Sequence, residues 1–276
     1  MDFQDGISSE ELRGQNIYIR TFVAFVFFVV GPGFRYIFVS TAERDCKLVV
    51  DWEMVLAQLD ERGFALLTGV LTGNACEAIS ALYSDESQFR SRIDMSRYAF
   101  GCGEYKYFKY PLPAIVQQLR STMYPHLAPL ANEWLDRLGI KQPHYPEKLS
   151  AFIEQCHRAG QKRPTPLMLK YGPGDFNCLH RDLYGEMFFP FQVTFFLSRS
   201  GKDFEGGEFV LAEQQPRRQS RIEVLAPNQG DAVIFSVDHR PVRGARGYYR
   251  AHLRHGVSTV RSGSRYTLGI IFHDAK

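Results

Sequence analysis

The apolar residues in the first half of the chain recur at the spacing of α-helices. In DWEMVLAQLDERG, Trp52, Val55 and Leu59 stand three and four positions apart, and Gly63 follows them. Residues at this spacing share one helix face, and a glycine commonly ends a helix. The same reasoning predicts a second helix in NACEAISALYS and a short strand in FALLTGVL between the two. Two longer helices are expected from about Pro113 to Leu138 and from about Pro146 to Arg158.

The second half of the chain consists of short β-rich runs separated by turn residues. These runs are PLMLKY, FQVTFFLS, GEFVLAE, SRIEVL, DAVIFSV, HGVSTV and RYTLGIIF. Several short strands parted by Gly, Pro, Asp and Asn are typical of a sandwich or barrel. We therefore predict a mainly β fold with α-helices in one domain, residues 50–276. Within it, residues 50–165 are expected to form helical support and residues 166–276 the β core.

The stretch FVAFVFFVVGPGFRYIFV, at residues 22–39, is the candidate targeting element of the chain. The first twenty residues hold four acidic residues against two arginines, whereas a secretory signal begins with positive charge. As a membrane span the stretch is short, and it contains Pro32 and Arg35. We therefore expect no membrane role, and residues 1–49 stand apart as an apolar N-terminal segment of unexplained role.

Composition and charge add two constraints. With 276 residues, of which 45% are hydrophobic and 23% charged, the chain has the composition of a globular protein. Its net charge of +3 is compatible with a nucleic-acid partner but does not argue for one. The five cysteines are widely spaced and include no Cys-x-x-Cys pair, which favours a reduced, cytoplasmic setting.

Candidate chemistry begins at CLHRDLYGEMFFPFQVTFFLS, where charged residues stand at the head of an apolar run. In a strand, His180 and Asp182 project to the same face and provide two ligands for a divalent metal. The third ligand is expected from His239, His252, His255 or His273, all in the β-rich half. His255 is the preferred choice because it opens the run HGVSTV. Two histidines and one carboxylate form the facial triad of non-haem Fe(II) oxygenases, which leaves positions open for a co-substrate and dioxygen.

These residues, together with Arg265 ten positions after His255, resemble the motif of the 2-oxoglutarate- and Fe(II)-dependent dioxygenases. That resemblance implies a double-stranded β-helix, or jelly roll. Residues 51–275 more closely resemble a bacterial group of oxygenases proposed to act on damaged nucleic acid. The stretches that carry this likeness are YGPGDFNCLHRDLYGE, GGEFVLAEQQPR, GDAVIF and LRHGVSTVRSGSRYTLGIIFHDA.

The resemblance implies that Fe(II) is bound by the triad and that 2-oxoglutarate is the co-substrate. Arg265 would hold the far carboxylate of 2-oxoglutarate, since a guanidinium meets a carboxylate with two parallel hydrogen bonds. Tyr171 is expected to add a phenolic hydrogen bond. The reaction with dioxygen would hydroxylate a substrate or oxidatively demethylate it, the substrate being alkylated DNA or RNA.

One difficulty concerns the face to which Arg265 points. If VRSGSR closes a plain four-residue hairpin, Arg265 pairs with Val260 and faces away from the side of His255. A one-residue bulge, for which Gly263 has the permissive backbone, restores the common face. We predict that irregularity.

Two further segments bear on the substrate, and both have a plain alternative. The run HRPVRGARGYYRAHLRHG is either a nucleic-acid surface near the metal or a solvated basic loop. The segment RYAFGCGEYKYFKYPLP is either a lid over the site or a stretch that packs its rings on the barrel.

Two other functions stay open at this point. The ten-residue spacing to Arg265 and the stretch GGEFVL are similar to prolyl hydroxylases, which makes a peptidyl or small-molecule hydroxylase the alternative. A jelly-roll module that binds a ligand without turnover is the second alternative. The discriminating observation for nucleic acid is whether the arginines between Arg240 and Arg254 surround the metal site.

Overall fold

The computed structural model describes residues 34–38, 47–183 and 185–276, with side chains from residue 50 onward. The chain divides into residues 1–32, which lie outside the described residues, and a compact unit from residue 33 to the C-terminus. Most of the apolar segment 22–39 therefore lies outside the described residues. The start of the domain at residue 50 stays a prediction. Among the described helices, none has the length and apolar character needed to cross a membrane.

All four predicted helices are present, and the described part of the chain also contains seventeen strands. The helices are α1 (Trp52–Arg62), α2 (Gly73–Ala81), α3 (Ala114–Leu138) and α4 (Leu149–Arg158). The strands of the first half are β1 (Phe34–Phe38), β2 (Lys47–Asp51), β3 (Phe64–Leu67), β4 (Phe89–Asp94), β5 (Gly101–Cys102) and β6 (Glu104–Phe108). Those that follow are β7 (Leu167–Tyr171), β8 (Phe176–His180), β9 (Phe191–Phe196), β10 (Phe204–Gly206), β11 (Phe209–Gln214), β12 (Arg221–Leu225), β13 (Ala232–Ser236), β14 (His239–Gly244), β15 (Gly247–Val257), β16 (Val260–Gly263) and β17 (Arg265–Ile271).

Helix α1 starts and stops where its sequence predicts. The Asp51 carboxylate accepts a hydrogen bond from the backbone N–H of Met54 at 3.0 Å, which caps the start of the helix. Gly63 ends it in the left-handed conformation, with φ at 79°. A Cβ on Gly63 would stand 2.6 Å from the side chain of Leu253 on β15, so glycine is also required there for close packing.

A seven-stranded antiparallel sheet, in the order β3-β13-β9-β17-β7-β6-β4, separates the helices from the interior. Because successive side chains of a strand point to opposite faces, one face of this sheet packs against the helices and the other faces the interior. On β9, Val193 and Phe195 belong to the core cluster that contains the helix residues, whereas Gln192 and Thr194 line an interior cleft. Residues 50–165 thus contribute β3, β4 and β6 to this sheet in addition to helices.

A second sheet follows the order β12-β11-β15-β8-β5, and β14 pairs with the first half of β15. Between the two sheets, Phe209 and Leu211 of β11 pack with Phe196 and Phe235 of the first sheet. This apolar cluster fills part of the space between the sheets. The prediction of a mainly β protein with helices is confirmed.

The bulged hairpin predicted between His255 and Arg265 is wrong, although Arg265 does face the same cleft as His255. Strand β16 pairs with β10, not with β17, and β17 pairs with β7 and β9 in the other sheet. The chain therefore leaves the six-stranded sheet after β15 and enters the seven-stranded sheet at Arg265. Gly263 is needed at this crossover because its φ is +79° and a Cβ there would lie 2.0 Å from the carbonyl oxygen of Asp203.

Candidate active site

The structure brings together His180, Asp182 and His255, the three residues predicted as metal ligands. His180 is the last residue of β8, and it pairs in register with His255 on β15. One ligand atom from each residue lies within 4.8 Å of the others. Each histidine Nε2 is 3.4 Å from a different oxygen of the Asp182 carboxylate. Within the described ranges this is the group of His, Cys, Asp and Glu side chains with metal-site spacing.

The orientation of His180 follows from its backbone contact. Its Nδ1 lies 2.8 Å from the carbonyl oxygen of Cys178, which accepts a hydrogen bond and so fixes the proton on Nδ1. In the neutral imidazole, Nε2 then carries the lone pair, and it lies 3.4 Å from Asp182 Oδ1. This is the arrangement in which a histidine binds a metal.

The electrostatics of the three residues are coupled. Burial raises the pKa of Asp182, but hydrogen bonds from His180 and His255 outweigh burial and hold that pKa well below its usual range. Burial lowers the pKa of His180, and its hydrogen bond to Asp182 more than reverses this, so the pKa is raised. Burial and the neighbouring charge of His180 lower the pKa of His255. An ionised carboxylate beside a neutral imidazole is a donor set that suits a divalent cation.

Gln192 on β9 is a site residue that the sequence reasoning missed. It is buried, and its Nε2 donates to Asp182 Oδ2 at 2.8 Å and lies 3.2 Å from His255 Nε2. It therefore holds one oxygen of the carboxylate. The available signal was a polar residue inside the apolar run FQVTFF.

Arg265 is fully buried, with 1% of its surface exposed, and it lines the same cleft as the triad. None of its three guanidinium nitrogens has a hydrogen-bond partner among the described residues. The guanidinium lies 5.4 Å from the ring centres of Tyr171 and Phe196. Burial lowers the pKa of Arg265 to about 10, so the group stays charged at neutral pH. Gly207 makes room for this side chain, since a Cβ there would stand 2.8 Å from Arg265 Cδ.

Tyr171 faces Arg265 directly, because the two residues are partners in the pairing of β7 with β17. Its ring is buried, and burial raises its pKa to about 12, which keeps the hydroxyl protonated. The Asn177 amide donates to this hydroxyl at 3.4 Å. No acceptor for the hydroxyl hydrogen is found in the described part of the chain.

The cleft between the sheets is lined by the triad, Gln192, Tyr171 and Arg265. Phe100 also lines the cleft and stacks on Tyr98, with ring centres 5.7 Å apart and planes 21° from parallel. Both rings are exposed, at 56% for Tyr98 and 39% for Phe100. A planar group that enters the cleft meets these rings at its edge.

The segment 97–113, predicted as a lid or a packing element, crosses from one sheet to the other. In β5, Gly101 pairs with Asn177, and the carbonyl of Phe100 accepts a hydrogen bond from the N–H of Cys178 at 2.8 Å. Strand β6 then pairs with β4 and β7. Backbone hydrogen bonds hold both ends of the crossing.

The remaining candidate histidines lie outside the cluster. His239 and His252 both contact Asp238, whose other partner is Arg181 at 2.8 Å. His273 is buried and accepts a hydrogen bond at Nδ1 from the N–H of Phe189.

The arginines between Arg240 and Arg254 do not surround the cleft. Arg240 forms an ion pair with Glu213 at 2.7 Å and is half-buried. On β15, Arg250 and Arg254 are exposed and alternate with buried residues, so they lie on the face opposite to His255.

Comparison with known proteins identifies relatives of this arrangement. Residues 103–275 match the model of a family described as "Oxygenase, catalysing oxidative methylation of damaged DNA". Two curated proteins of Mycobacterium tuberculosis, "Uncharacterized protein MT2286" (strain CDC 1551 / Oshkosh) and "Uncharacterized protein Rv2227" (strain ATCC 25618 / H37Rv), are 48% identical over 168 residues. The match covers 61% of this chain and 72% of each relative.

Similar solved structures include a Pseudomonas putida prolyl-4-hydroxylase, with a TM-score of 0.47 and 15% identity, covering 82% of this chain and 99% of that one. A Burkholderia pseudomallei oxidoreductase of the 2OG-Fe(II) oxygenase family has a TM-score of 0.46 and 19% identity, covering 83% and 94%. The family match confirms the prediction of an oxygenase, and the His-Asp-His cluster has the spacing of the predicted metal site.

Proposed function

This chain belongs to the oxygenase family whose description names damaged DNA, and on that premise we propose that it oxidises alkyl groups on nucleic-acid bases. In this proposal His180, Asp182 and His255 hold Fe(II), and Arg265 and Tyr171 hold 2-oxoglutarate. The two antiparallel sheets form a jelly roll, and the enzyme acts in the cytoplasm.

The observation that carries the proposal is the unpaired guanidinium of Arg265 in the cleft that also contains the triad. A buried charge without a partner costs several kcal/mol, and a carboxylate in two-point contact offsets that cost. The co-substrate supplies such a carboxylate at one end and a metal-binding keto acid at the other. The donor set at the triad and the cation in the cleft therefore fit the two ends of one molecule.

Each residue has a defined task in this assignment. Bound iron supplies the activation of dioxygen, coupled to decarboxylation of 2-oxoglutarate to succinate. His180 presents Nε2 because Cys178 holds its Nδ1 proton, and Gln192 keeps one Asp182 oxygen turned toward its own amide. Arg265 orients the co-substrate, and the Tyr171 hydroxyl donates a hydrogen bond to it. The apolar residues of the cleft exclude water.

Support for a nucleic-acid substrate comes from the family description and from the cleft edge. Tyr98 and Phe100 provide exposed, stacked rings beside the cleft, and aromatic rings hold unpaired bases by stacking. The arginines between Arg240 and Arg254 do not surround the metal site, and Arg250 and Arg254 lie on the opposite face of the sheet, so this discriminating observation counts against nucleic acid. A prolyl or other peptidyl hydroxylase is the alternative to be tested in parallel.

The first test is anaerobic titration with Fe(II) and 2-oxoglutarate, followed through the visible charge-transfer band of the chelate. We expect the band in the wild-type protein, its loss in His255→Ala and its weakening in Arg265→Ala. Arg261→Ala is the matched control, since Arg261 is an exposed arginine four residues away. Absence of the band in wild-type protein would overturn the assignment and favour the non-catalytic binding module.

The second test identifies the substrate. N-alkylated single-stranded DNA, duplex DNA, RNA and proline-containing peptides are incubated with Fe(II), 2-oxoglutarate and dioxygen, and the products are measured by mass spectrometry. We expect succinate together with loss of the alkyl group from a nucleic acid. Hydroxylation of a peptide with no change in any nucleic acid would establish the alternative.

A further inference from the structure

The outer face of the six-stranded sheet, opposite to the metal ligands, has an unusual composition. Its positions follow from the pairing of β12 with β11, of β11 with β15 and of β14 with β15. None of the twelve is acidic. They are Val210, Ala212, Gln214, Ile222, Val224, His239, Pro241, Arg243, Tyr248, Arg250, His252 and Arg254.

The three arginines of this outer face, Arg243, Arg250 and Arg254, are exposed. Among the described residues, no carboxylate oxygen lies within 4.0 Å of any of them. Arg240 is the contrast, since it points to the other side of β14 and pairs with Glu213 at 2.7 Å. Ion pairing therefore accounts for the inward arginine of this hairpin but not for the outward ones. The carboxylate next to this face is Asp238, which contacts His239 and His252 and is paired with Arg181 at 2.8 Å, so it does not offset the three outward arginines.

The outer face is continuous with the metal site. Arg250, His252 and Arg254 alternate along β15, so neighbouring side chains of this row stand about 7 Å apart, twice the rise per residue. His252 Nδ1 lies 3.5 Å from the guanidinium of Arg181. Arg181 separates the two ligands His180 and Asp182 in sequence. Arg181 thus contacts the middle of the row, and Arg254 directly precedes His255, which pairs with His180 at the end of β8.

The face also offers contacts that a purely ionic surface lacks. Ile222 and Val224 are exposed at 49% and 60%, and Tyr248 at 39%. Apolar side chains and an aromatic ring between cations suit a polymer whose charged backbone alternates with flat bases. An inorganic anion or a free nucleotide uses only one of these positions at a time.

We propose that this outer face binds the phosphate backbone of a nucleic-acid strand and holds it beside the cleft in which one base is oxidised. The inference rests on the proposed function, because it assigns the surface that receives that substrate. Arg243, Arg250 and Arg254 contact phosphates, and Tyr248, Ile222 and Val224 contact sugars and bases. Such contacts position the strand without reading its sequence.

The test compares two triple variants with the same change of charge. One carries Arg243→Gln, Arg250→Gln and Arg254→Gln. The control carries Lys141→Gln, Lys148→Gln and Arg158→Gln, three exposed basic residues at or near the ends of α3 and α4. Binding of fluorescein-labelled single-stranded and duplex DNA is measured across a range of salt concentrations by anisotropy.

We expect the outer-face variant to lose tenfold or more in DNA affinity. The slope of log K against log salt concentration should become less negative by about 2–3. The control variant should bind DNA like the wild type. For an alkylated oligonucleotide, the KM should rise far more than kcat falls. A chelate band equal to that of the wild type shows that the metal site is assembled. If the triple variant loses that band, the double variant Arg243→Gln, Arg250→Gln, which keeps Arg254, provides the test.

Three results would overturn the inference, and they are distinguishable from failure of the proposed function. Wild-type affinity in the outer-face variant, while Arg265→Ala abolishes oxidation of DNA, rejects the surface and leaves the function in place. Selective loss of binding to an acidic peptide or to vesicles containing anionic lipid, with DNA binding intact, assigns the face to another partner. Oxidation of a peptide and of no nucleic acid by the wild-type protein rejects both proposals.

Discussion

Two arginines in this protein are equally buried, but one is fully paired by its surroundings and the other has no hydrogen-bond partner among the described residues. Arg120 on α3 and Arg265 on β17 each expose 1% of their surface. Arg120 pairs with Asp274 at 2.9 Å and donates to the carbonyl oxygens of Ile271, Phe272 and His273. Arg265 has no partner for any guanidinium nitrogen among the described residues.

We interpret the difference as that between a structural cation and one that, in the proposed function, binds a ligand. The network around Arg120 ties the end of the chain to α3 and is complete within the protein, since Tyr110 and His157 also contact Asp274. Arg265 contacts aromatic rings and an open cleft. A fold retains an unsatisfied buried charge at a cost in stability, and function is the usual reason for keeping it.

The largest expected effect tests the structural arginine. Arg120→Met leaves Asp274 buried without its main counter-charge, so we expect the free energy of unfolding to fall by about 3–5 kcal/mol. Urea unfolding measures it, and Arg158→Met on the exposed end of α4 is the control. A loss below about 1 kcal/mol, within the range of ordinary surface changes, would contradict the structural role.

Arg265→Met should give the reverse pattern. Affinity for 2-oxoglutarate is expected to fall by about 2–5 kcal/mol, which is roughly thirtyfold to several thousandfold, because the carboxylate loses its buried partner. Stability without co-substrate should be unchanged or higher, since an unpaired charge is removed from the interior. Calorimetric titration and urea unfolding measure the two quantities, with Arg261→Met as control. If stability falls while co-substrate affinity is kept, Arg265 is structural.

His273 extends the comparison to the pH dependence of stability, because the charge of Arg120 affects its pKa. Burial and the charge of Arg120 lower the pKa of His273 to about 4. Because the unfolded chain binds this proton near pH 6.5, stability is fully present above that pH and is lost as pH falls toward 4, by about 2–3 kcal/mol. We expect His273→Gln to flatten the profile between pH 6.5 and 4, as measured by urea unfolding. His144→Gln, at an exposed site, is the control, and an unchanged slope in His273→Gln would reject the assignment.

The smallest expected effect concerns Gln192. Gln192→Leu removes the amide that holds Asp182 Oδ2, and the loss of such a supporting contact typically weakens metal binding at least tenfold. Titration with Fe(II) under anaerobic conditions measures this, and Thr194→Val on the same face of β9 is the control. Equal metal affinity in both variants would show that Asp182 is held without Gln192.

That the candidate site residues lie close together was predictable because their signal is local or is a fixed spacing. His180 and Asp182 share a face by strand alternation, and Arg265 follows His255 by ten residues. The structure brings all four into one cleft. The path between His255 and Arg265 was not predictable, since β16 finds its partner in β10, more than fifty residues earlier in the chain. The run VRSGSR contains no pattern that indicates which distant strand it pairs with.

The basic run 239–256 shows a second limit of sequence reasoning. Charge and aromatic content predict a surface but not the side of the sheet on which it lies. Only the register of β14, β15 and β11 separates the inward Arg240 from the outward Arg250 and Arg254. The helices, by contrast, follow from local signals: α1 and α2 have side-chain N-caps at Asp51 and Thr72, whereas α3 and α4 have none and were predicted from the pattern along the chain.

The crossover at β16 has a consequence for the choice of co-substrate. Because the chain changes sheets between His255 and Arg265, the triad histidines His180 and His255 and the guanidinium of Arg265 lie on opposite walls of one cleft. In the proposed assignment the co-substrate would have to span the distance between these walls. We expect a shorter keto diacid bound at the metal to miss Arg265 and a longer one not to fit, so the spacing of the two sheets would select the length of the co-substrate.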